Sequence, residues 1–390
     1  SDPMPDISLS GLDFLPSVQL STTLSNPCSS LILIPSFAVY PNNAVCQTPL
    51  VVCGKDNGET LIFSCDFTRR FAKTEALGSP VTALAYGHIT SDKIPDLVTI
   101  TADGQLRLIR IQEDQGIFMH PHHIQLVHAN ITAAYIADVD KDGVNELVVI
   151  MTDRVVRTYQ WHKDLRRMLP RFKWEVPCHI AAVAIGQSSL GHREAWLSQP
   201  ASRPYVSIRF TGDNTTVCES RKESSAMIIL PRSHFVRVFG TLISGVYVCT
   251  TTIVPPSPNS ADKPQLMTHE HRLRSHGNDM VAVSAITRKE LSIVATIDVN
   301  GLCLLYAYDD RIMTKSEIDP AMRMKFLRDT YNVTLYASGD MIYLAVANNR
   351  GKLVNYAIPF VTLEHRYHAM LKRDDEELRE VGIEGWRGME

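Results

Sequence analysis

Tight hairpin turns recur along this chain about every 50 residues, and this period restricts the possible folds more than any other feature. In each turn a short polar segment separates two apolar runs, and the turn residues are Gly58, Gly104, Arg154, Gly301 and Gly351. Glycine readily adopts the positive φ that tight hairpins need. The intervals are 46, 50, 147 and 50 residues. Because 147 is three times 49, two further units are expected near residues 203 and 252.

Seven units of this length predict an all-β fold, a seven-bladed β-propeller with a C-terminal helical tail. One unit alone would leave the faces of its sheet bare, whereas a ring of units buries these faces against each other. Apolar runs such as 81–86 and 281–286, each preceding a hairpin, are predicted to be inner strands. Two stacked β-sandwiches are the alternative, but a single period through the whole chain favours the ring.

The period also sets the predicted boundaries. Residues 5–360 are assigned to the propeller, and residues 1–4 are read as a start that resembles a tag remnant. The segment Ile7–Leu20 is predicted to add an outer strand to the last blade and close the ring, since open sheet edges are a liability. Segments 163–173 and 253–279 depart from the pattern and are predicted to be insertions.

A calcium-type loop precedes the third of these hairpins. Carboxylates alternate along it, and Gly143 after the third aspartate permits a sharp turn. Hard oxygen ligands in this arrangement suit Ca²⁺, but the twelfth position of an EF-hand would be Val149 instead of glutamate. The alternative is an unfilled loop with solvated carboxylates. The predicted ligands, with a structural role, are the side chains of Asp138, Asp140, Asp142 and Glu146 and the Val144 carbonyl.

Composition and motifs argue against several functions. The 390-residue chain has a net charge of −3, which gives no electrostatic case for nucleic acid. No apolar run approaches the ~18–20 residues that span a bilayer. No nucleophile elbow, phosphate-binding P-loop or zinc-protease motif is present, so the chain is predicted not to be an enzyme. Eight singly scattered cysteines indicate free thiols in a reducing compartment.

Two segments are candidate partner-binding surfaces. The basic segment around 163–173 either docks an acidic partner or phosphate, or is a solvated hairpin tip; its candidate residues are Arg166, Arg167 and Arg171. Residues 361–390 are predicted to form a helical tail with an apolar stripe, which either packs under the propeller or is offered to a partner. The stripe residues singled out are Leu363, Tyr367, Met370 and Leu371.

A family resemblance rests on three stretches. The acidic loop followed by a hairpin resembles the FG-GAP repeat of integrin alpha-chain propellers. The run 151–161 (MTDRVVRTYQW), the run 197–200 (LSQP) and the tail element 364–382 are similar to the integrin-alpha FG-GAP repeat-containing protein 2 family. The resemblance implies a non-catalytic subunit of the KICSTOR complex, which is thought to hold the Rag GTPase-activating GATOR complex at lysosomes and restrain mTOR complex 1 when nutrients are scarce.

The resemblance also implies partners and a location. A kaptin-like propeller subunit and a large scaffold subunit are the expected neighbours, and the chain is expected to be cytoplasmic and recruited to the lysosomal membrane through its complex. Two other classes stay open. An extracellular integrin-like adhesion propeller would have several filled acidic loops and paired cysteines. A lectin or enzyme propeller would have convergent acids or aromatic residues around its central funnel.

Overall fold

A computed structural model describes most of the chain. The described residues are 19–35, 49–64, 70–111, 119–176, 180, 183–187, 193–199, 203–209, 215–218, 227–231, 235–242, 245–254, 265–274, 280–289, 291–309, 317–326 and 328–372. Within them, the strands form seven sheets, built mainly from chain-consecutive strands that pair antiparallel.

The first three sheets each have four strands in chain order, apart from a strand β1 (Gln19–Thr23) that precedes them. Sheet 1 comprises β2 (Cys28–Ile34), β3 (Leu50–Lys55), β4 (Thr60–Ser64) and β5 (Arg70–Lys73). Sheet 2 comprises β6 (Val81–Gly87), β7 (Asp96–Thr101), β8 (Gln105–Ile109) and β9 (His123–Leu126). Sheet 3 comprises β10 (Ile131–Ala137), β11 (Glu146–Met151), β12 (Val155–His162) and β13 (Arg167–Glu175).

The later sheets repeat this plan. Sheet 4 comprises β14 (Val183–Gln187), β15 (Arg193–Gln199), β16 (Arg203–Arg209) and β17 (Thr215–Cys218). Sheet 5 comprises β18 (Met227–Pro231), β19 (Phe235–Leu242), β20 (Gly245–Val254) and β21 (Gln265–Leu273), with β25 (Glu317–Ile318) added in parallel. Sheet 6 comprises β22 (Met280–Arg288), β23 (Leu291–Asp298), β24 (Leu302–Tyr308) and β26 (Met322–Lys325). Sheet 7 comprises β27 (Thr330–Ser338), β28 (Met341–Asn348) and β29 (Lys352–Pro359), together with β1.

The five hairpin turns that defined the period have the expected backbone. Gly58, Gly104, Gly301 and Gly351 have φ values from 79° to 91°, and Arg154 has a φ of 68°. At three of the glycines a side chain would also collide with backbone, and a Cβ on Gly58 would lie 2.7 Å from the Ser79 carbonyl oxygen. A Cβ on Gly104 would lie 2.7 Å from the Val127 carbonyl oxygen, and one on Gly351 would lie 2.5 Å from that of Leu24. The turn glycines therefore combine backbone freedom with close packing.

A strand near the N terminus closes the ring of sheets. Strand β1 pairs antiparallel with β29, so the first and last parts of the chain share sheet 7. An N-terminal closing strand was predicted over Ile7–Leu20; the described strand is Gln19–Thr23, and residues 1–18 lie outside the described residues. Sheet 7 also packs on sheet 1, where Leu353 and Tyr343 share an apolar cluster with Cys53.

The cores lie between neighbouring sheets. Separate apolar clusters join sheets 1 and 2, sheets 2 and 3, sheets 3 and 4, and sheets 6 and 7. Strands β3, β7 and β11 are buried along their whole lengths because both faces of each sheet are covered. This burial explains why these strands are continuous apolar runs instead of alternating ones.

Both segments predicted to be insertions contain regular strands in their described residues. Within 163–173, residues 163–166 form a turn, and the rest belongs to β13, the outer strand of sheet 3. Only Met168 of that segment is buried, so its sequence lacks the alternation of a half-buried strand. Within 253–279, β21 forms a long hairpin with β20. The hairpin turn expected near residue 252 instead joins Leu242 to Gly245.

Residues 360–372 form a helix, α1, directly after β29. Its beginning agrees with the predicted tail, whereas residues 373–390 lie outside the described part of the chain. No helix among the described residues has both the length and the apolar character needed to cross a membrane.

Candidate functional site

The acidic loop connects β10 to β11 at one end of sheet 3. Asp138 and Asp140 follow the last residue of β10, and Glu146 is the first residue of β11. One carboxylate oxygen from each of these three side chains lies within 4.8 Å of the other two. Three of the predicted ligands therefore surround a point that a single cation could occupy.

Loop amides orient the first aspartate. The backbone amide of Gly143, which has a φ of 84°, donates a 3.1 Å hydrogen bond to Asp138 Oδ2. The other oxygen, Asp138 Oδ1, is buried and has no hydrogen-bond partner among the described residues. An uncompensated buried carboxylate oxygen is costly, and a bound cation would offset this cost.

The Glu146 carboxylate is the most perturbed group of the loop. Its side chain is fully buried, and burial raises the pKa of Glu146 to about 7. The negative charges of Asp138, Asp140 and Asp142 raise this pKa further, while the 3.0 Å hydrogen bond from the Val139 amide opposes them. A divalent cation would reverse the balance by favouring the ionised form.

Both carboxylate oxygens of Asp142 accept hydrogen bonds from other groups of the protein. Its Oδ1 accepts a 2.8 Å hydrogen bond from the Val144 amide, and its Oδ2 accepts a 3.0 Å bond from Gln160 Nε2. The backbone bond in particular lowers the pKa of Asp142. Asp142 is not part of the group of three converging carboxylates, so the structure brings together three of the four predicted side-chain ligands. The loop has the oxygen chemistry of a calcium site, with Asp138, Asp140 and Glu146 as its core.

Arg171 belongs to this site. Its Nη2 donates a 2.7 Å hydrogen bond to Asp140 Oδ2, and its Nη1 donates a 2.8 Å bond to Gln160 Oε1. The sequence analysis assigned Arg171 to a partner-binding surface; the guanidinium contacts the acidic loop, and its role in partner binding stays a prediction. Arg171 supplies a positive charge that partly neutralises the acidic cluster.

Sheet 2 contains an equivalent loop between β6 and β7, here called the sibling loop. In this loop, hydrogen-bond donors of the protein surround the buried carboxylate. Asp96 opens β7 as Glu146 opens β11, and its fully buried carboxylate accepts bonds of 2.9 Å and 2.7 Å from the amide and hydroxyl of Thr90. His122 Nε2 lies 2.8 Å from Asp96 Oδ1, and Arg110 Nε lies 3.8 Å from it. These contacts satisfy Asp96 without a metal. The sequence analysis did not identify this set of partners.

The apolar stripe of the tail packs on the propeller. Leu363 and Tyr367 are fully buried in the cluster that joins sheets 6 and 7, and Met370 and Leu371 pack against the same cluster. The Tyr367 hydroxyl donates a hydrogen bond to the buried Asp309 carboxylate. The assignment of Leu363, Tyr367, Met370 and Leu371 to partner binding is therefore corrected, and the alternative of packing under the propeller is the one observed.

A cavity of about 680 Å³ opens between the inner strands β2, β6, β10 and β27. Its described lining combines aliphatic groups with hydroxyls and an amide, including Tyr86, Tyr135, Tyr336 and Asn332. Burial raises the pKa of Tyr135 to about 12. The described lining holds no carboxylate and no imidazole, so it offers no general acid or base near neutral pH.

The sequence also matches known proteins across this region. Residues 65–251 match the family model described as Integrin-alpha FG-GAP repeat-containing protein 2. This match confirms the resemblance to that family. The integrin-alpha FG-GAP repeat-containing protein 2 match includes the acidic loop, the sibling loop and Arg171, whereas β1 and α1 lie outside it. The family pattern therefore covers the site but not the closure of the ring.

One curated relative and two solved structures extend the comparison. The KICSTOR complex protein ITFG2 of Mus musculus is 25% identical over 168 residues, which are 38% of this chain and 38% of the mouse protein. BBS1N, from a crystal structure with ARL6DN, has a TM-score of 0.57 at 12% identity, covering 88% of this chain and 98% of its own. The Cps50 (Swd1) β-propeller domain of Myceliophteria thermophila has a TM-score of 0.57 at 10% identity, covering 87% and 99%. The two structures establish the β-propeller fold.

Proposed function

We propose that this chain is a non-catalytic scaffold subunit of a KICSTOR-like complex. The proposal is carried by the match of residues 65–251 to the integrin-alpha FG-GAP repeat-containing protein 2 family, one of whose curated relatives is named as a KICSTOR complex protein. A ring of sheets with apolar cores between its members is a rigid body that can present loops to several partners. The described lining of the cavity between β2, β6, β10 and β27 holds no carboxylate, which favours binding over catalysis.

In this role the chain binds a kaptin-like propeller and a large scaffold subunit. Through that assembly it helps to hold the Rag GTPase-activating GATOR complex at the lysosomal membrane and to restrain mTOR complex 1 in nutrient scarcity. The chain itself works in the cytoplasm and reaches the membrane through its partners. The corrected tail assignment moves the expected contacts from α1 to loops and outer strands, because the apolar stripe of α1 is buried.

Calcium has a structural part in this proposal. Asp138, Asp140 and Glu146 would hold the ion, with Asp142 orienting the loop. A bound Ca²⁺ would stabilise the ionised carboxylates and fix the connection between β10 and β11. Arg171 would then compete with the ion for Asp140, or would contact the Asp140 oxygen that does not bind the ion.

The experiment is an affinity capture of the tagged chain from cells of its source organism, followed by mass spectrometry. We expect a kaptin-like propeller and a very large scaffold subunit in stoichiometric amounts. A tagged propeller of unrelated sequence, expressed at the same level, is the control. Intact chain that captures neither subunit would contradict the proposal.

An extracellular adhesion propeller is the second candidate class, and specific observations disfavour it. Cys28, Cys53 and Cys303 are buried free thiols among the described residues. A hydrogen bond with Cys28 and burial both raise the pKa of Cys53, so its thiolate is scarce. Within the described residues, only the loop at Asp138 gathers three metal-binding carboxylates.

A further inference from the structure

A second cavity, of about 370 Å³, lies where sheet 2 meets sheet 3, beside the sibling loop. Its wall includes Thr90, Arg110 and His122 from sheet 2 and Trp161, Lys163 and Arg166 from the β12–β13 hairpin. His123 completes the wall, and its ring stacks edge-on against Trp161 at a centroid distance of 4.9 Å. The cavity is thus built from residues of two consecutive sheets.

The wall carries an excess of positive charge, because Asp96 lies within ion-pair distance of Arg110 and His122 but not of the two exposed cations. Arg110, Lys163 and Arg166 line the cavity, and no carboxylate is among its described lining residues. Lys163 and Arg166 are exposed and have no hydrogen-bond or ion-pair partner in the part of the chain that the structure describes. Unpaired cations that converge on one cavity favour an anionic ligand.

Asp96 fixes the positions of several residues in the cavity wall. Its buried carboxylate binds His122 and Thr90, and Arg110 Nη2 donates a 3.2 Å hydrogen bond to Thr90 Oγ1. These contacts fix the guanidinium and the imidazole at the wall before any ligand arrives. Fixed donors lower the entropic cost of binding.

The rim is a strained turn. Arg166 has a φ of 49°, a conformation that glycine adopts at lower cost. The turn is anchored by Met168, whose amide and carbonyl both bond the Gln125 side chain of β9 at 2.9 Å. The backbone at Arg166 is therefore held in an unfavourable region at the position where its side chain reaches the cavity.

We propose that this cavity binds a phosphorylated side chain of a protein partner. A phosphate group carries a charge near −2 and three acceptor oxygens, which match several converging cations and hydrogen-bond donors better than one carboxylate does. The volume falls within the range of small-ligand sites. Anionic membranes are bound by clusters of 4 to 8 basic residues on an open face, whereas this site is recessed and the net charge of the chain is −3. The proposal goes beyond the scaffold role and does not rest on it.

The test is isothermal titration calorimetry of the full chain with a short phosphoserine peptide, the same peptide without phosphate, and soluble inositol 4-phosphate. We expect the phosphopeptide to bind more tightly than the other two. Arg166→Gly removes the charge and relieves the positive φ, so it should weaken the phosphopeptide about tenfold without lowering the melting temperature. Lys163→Ala should weaken it to a similar extent.

Arg167→Ala is the matched control, because Arg167 is exposed and adjacent but does not line the cavity. It should leave the affinity within about twofold. The proposal is overturned if the unphosphorylated peptide binds equally well, if inositol 4-phosphate binds more tightly than the phosphopeptide, or if Arg167→Ala weakens binding as much as Arg166→Gly. The first result denies a phosphate site, the second assigns a headgroup, and the third indicates diffuse surface charge.

Discussion

Asp96 and Glu146 occupy the same place in neighbouring sheets, each as the first residue of a second strand, and both are fully buried. Asp96 is met by Thr90, His122 and Arg110, all groups of the protein itself. Glu146 faces Asp138 and Asp140. Two copies of one structural unit therefore neutralise an equivalent carboxylate differently, and the two loops should respond differently to calcium.

The acidic loop should make stability depend on calcium. In the wild type, Ca²⁺ at 100 times its dissociation constant should add about 2.7 kcal/mol to the free energy of unfolding. Asp140→Ala should abolish this gain, while in a chelator it should cost no more than about 1 kcal/mol through the lost Arg171 ion pair. Thermal denaturation with and without Ca²⁺ measures both. Asp164→Asn, at an exposed acid outside the loop, is the control, and equal melting of Asp140→Ala and wild type in Ca²⁺ would mean an empty loop.

The same loop should give a pH dependence in the absence of Ca²⁺. Burial raises the pKa of Glu146 to about 7 from an ordinary value of 4.5, so the folded state binds this proton more tightly than the unfolded state. The contribution of protonated Glu146 to the free energy of unfolding is complete below pH 4.5. This contribution, about 1 to 3 kcal/mol, is lost as the pH rises through 7. Urea denaturation across this range measures it. Glu146→Gln should flatten this part of the profile, and an unchanged slope in the variant would assign the effect to another group.

The sibling loop should be stabilised by its hydroxyl and not by calcium. Thr90→Val keeps the shape of the side chain but removes the 2.7 Å bond to Asp96 and the acceptor for Arg110. Because a buried carboxylate then loses a donor, we expect a loss of about 1 to 3 kcal/mol in urea denaturation. Adding Ca²⁺ should not restore it. Recovery in Ca²⁺ would show that this loop also binds metal.

The helical tail should behave as part of the core. Leu363→Ala deletes a fully buried side chain and should cost about 2 to 5 kcal/mol. Tyr367→Phe removes a hydrogen bond to the buried Asp309 and should cost about 1 to 3 kcal/mol. His365→Ala, at an exposed position of the same helix, should stay within about 0.5 kcal/mol. Leu363→Ala with wild-type stability but impaired capture of partners would return this stripe to a binding role.

Local sequence chemistry determined the repeating hairpins and the acidic loop of this protein. A positive φ at the turn glycines and alternation of hard oxygen ligands at Asp138 and Asp140 are properties of short segments, so they can be read without the fold. The strand within segment 163–173 was not predicted, because an outer strand buries few side chains and leaves little apolar alternation.

Tertiary structure alone decided which groups meet across the sheets. Arg171 lies 31 residues after Asp140 and reaches it because β13 belongs to the same sheet as β10 and β11, which flank the acidic loop. Tyr367 hydrogen-bonds to Asp309, 58 residues away in the sequence. This contact and the burial of Leu363 show that the apolar stripe of α1 is part of the core. Lys163 and Arg166 share a cavity with Arg110 only because sheets 2 and 3 are neighbours. Such contacts depend on the packing of distant strands, which no local pattern records.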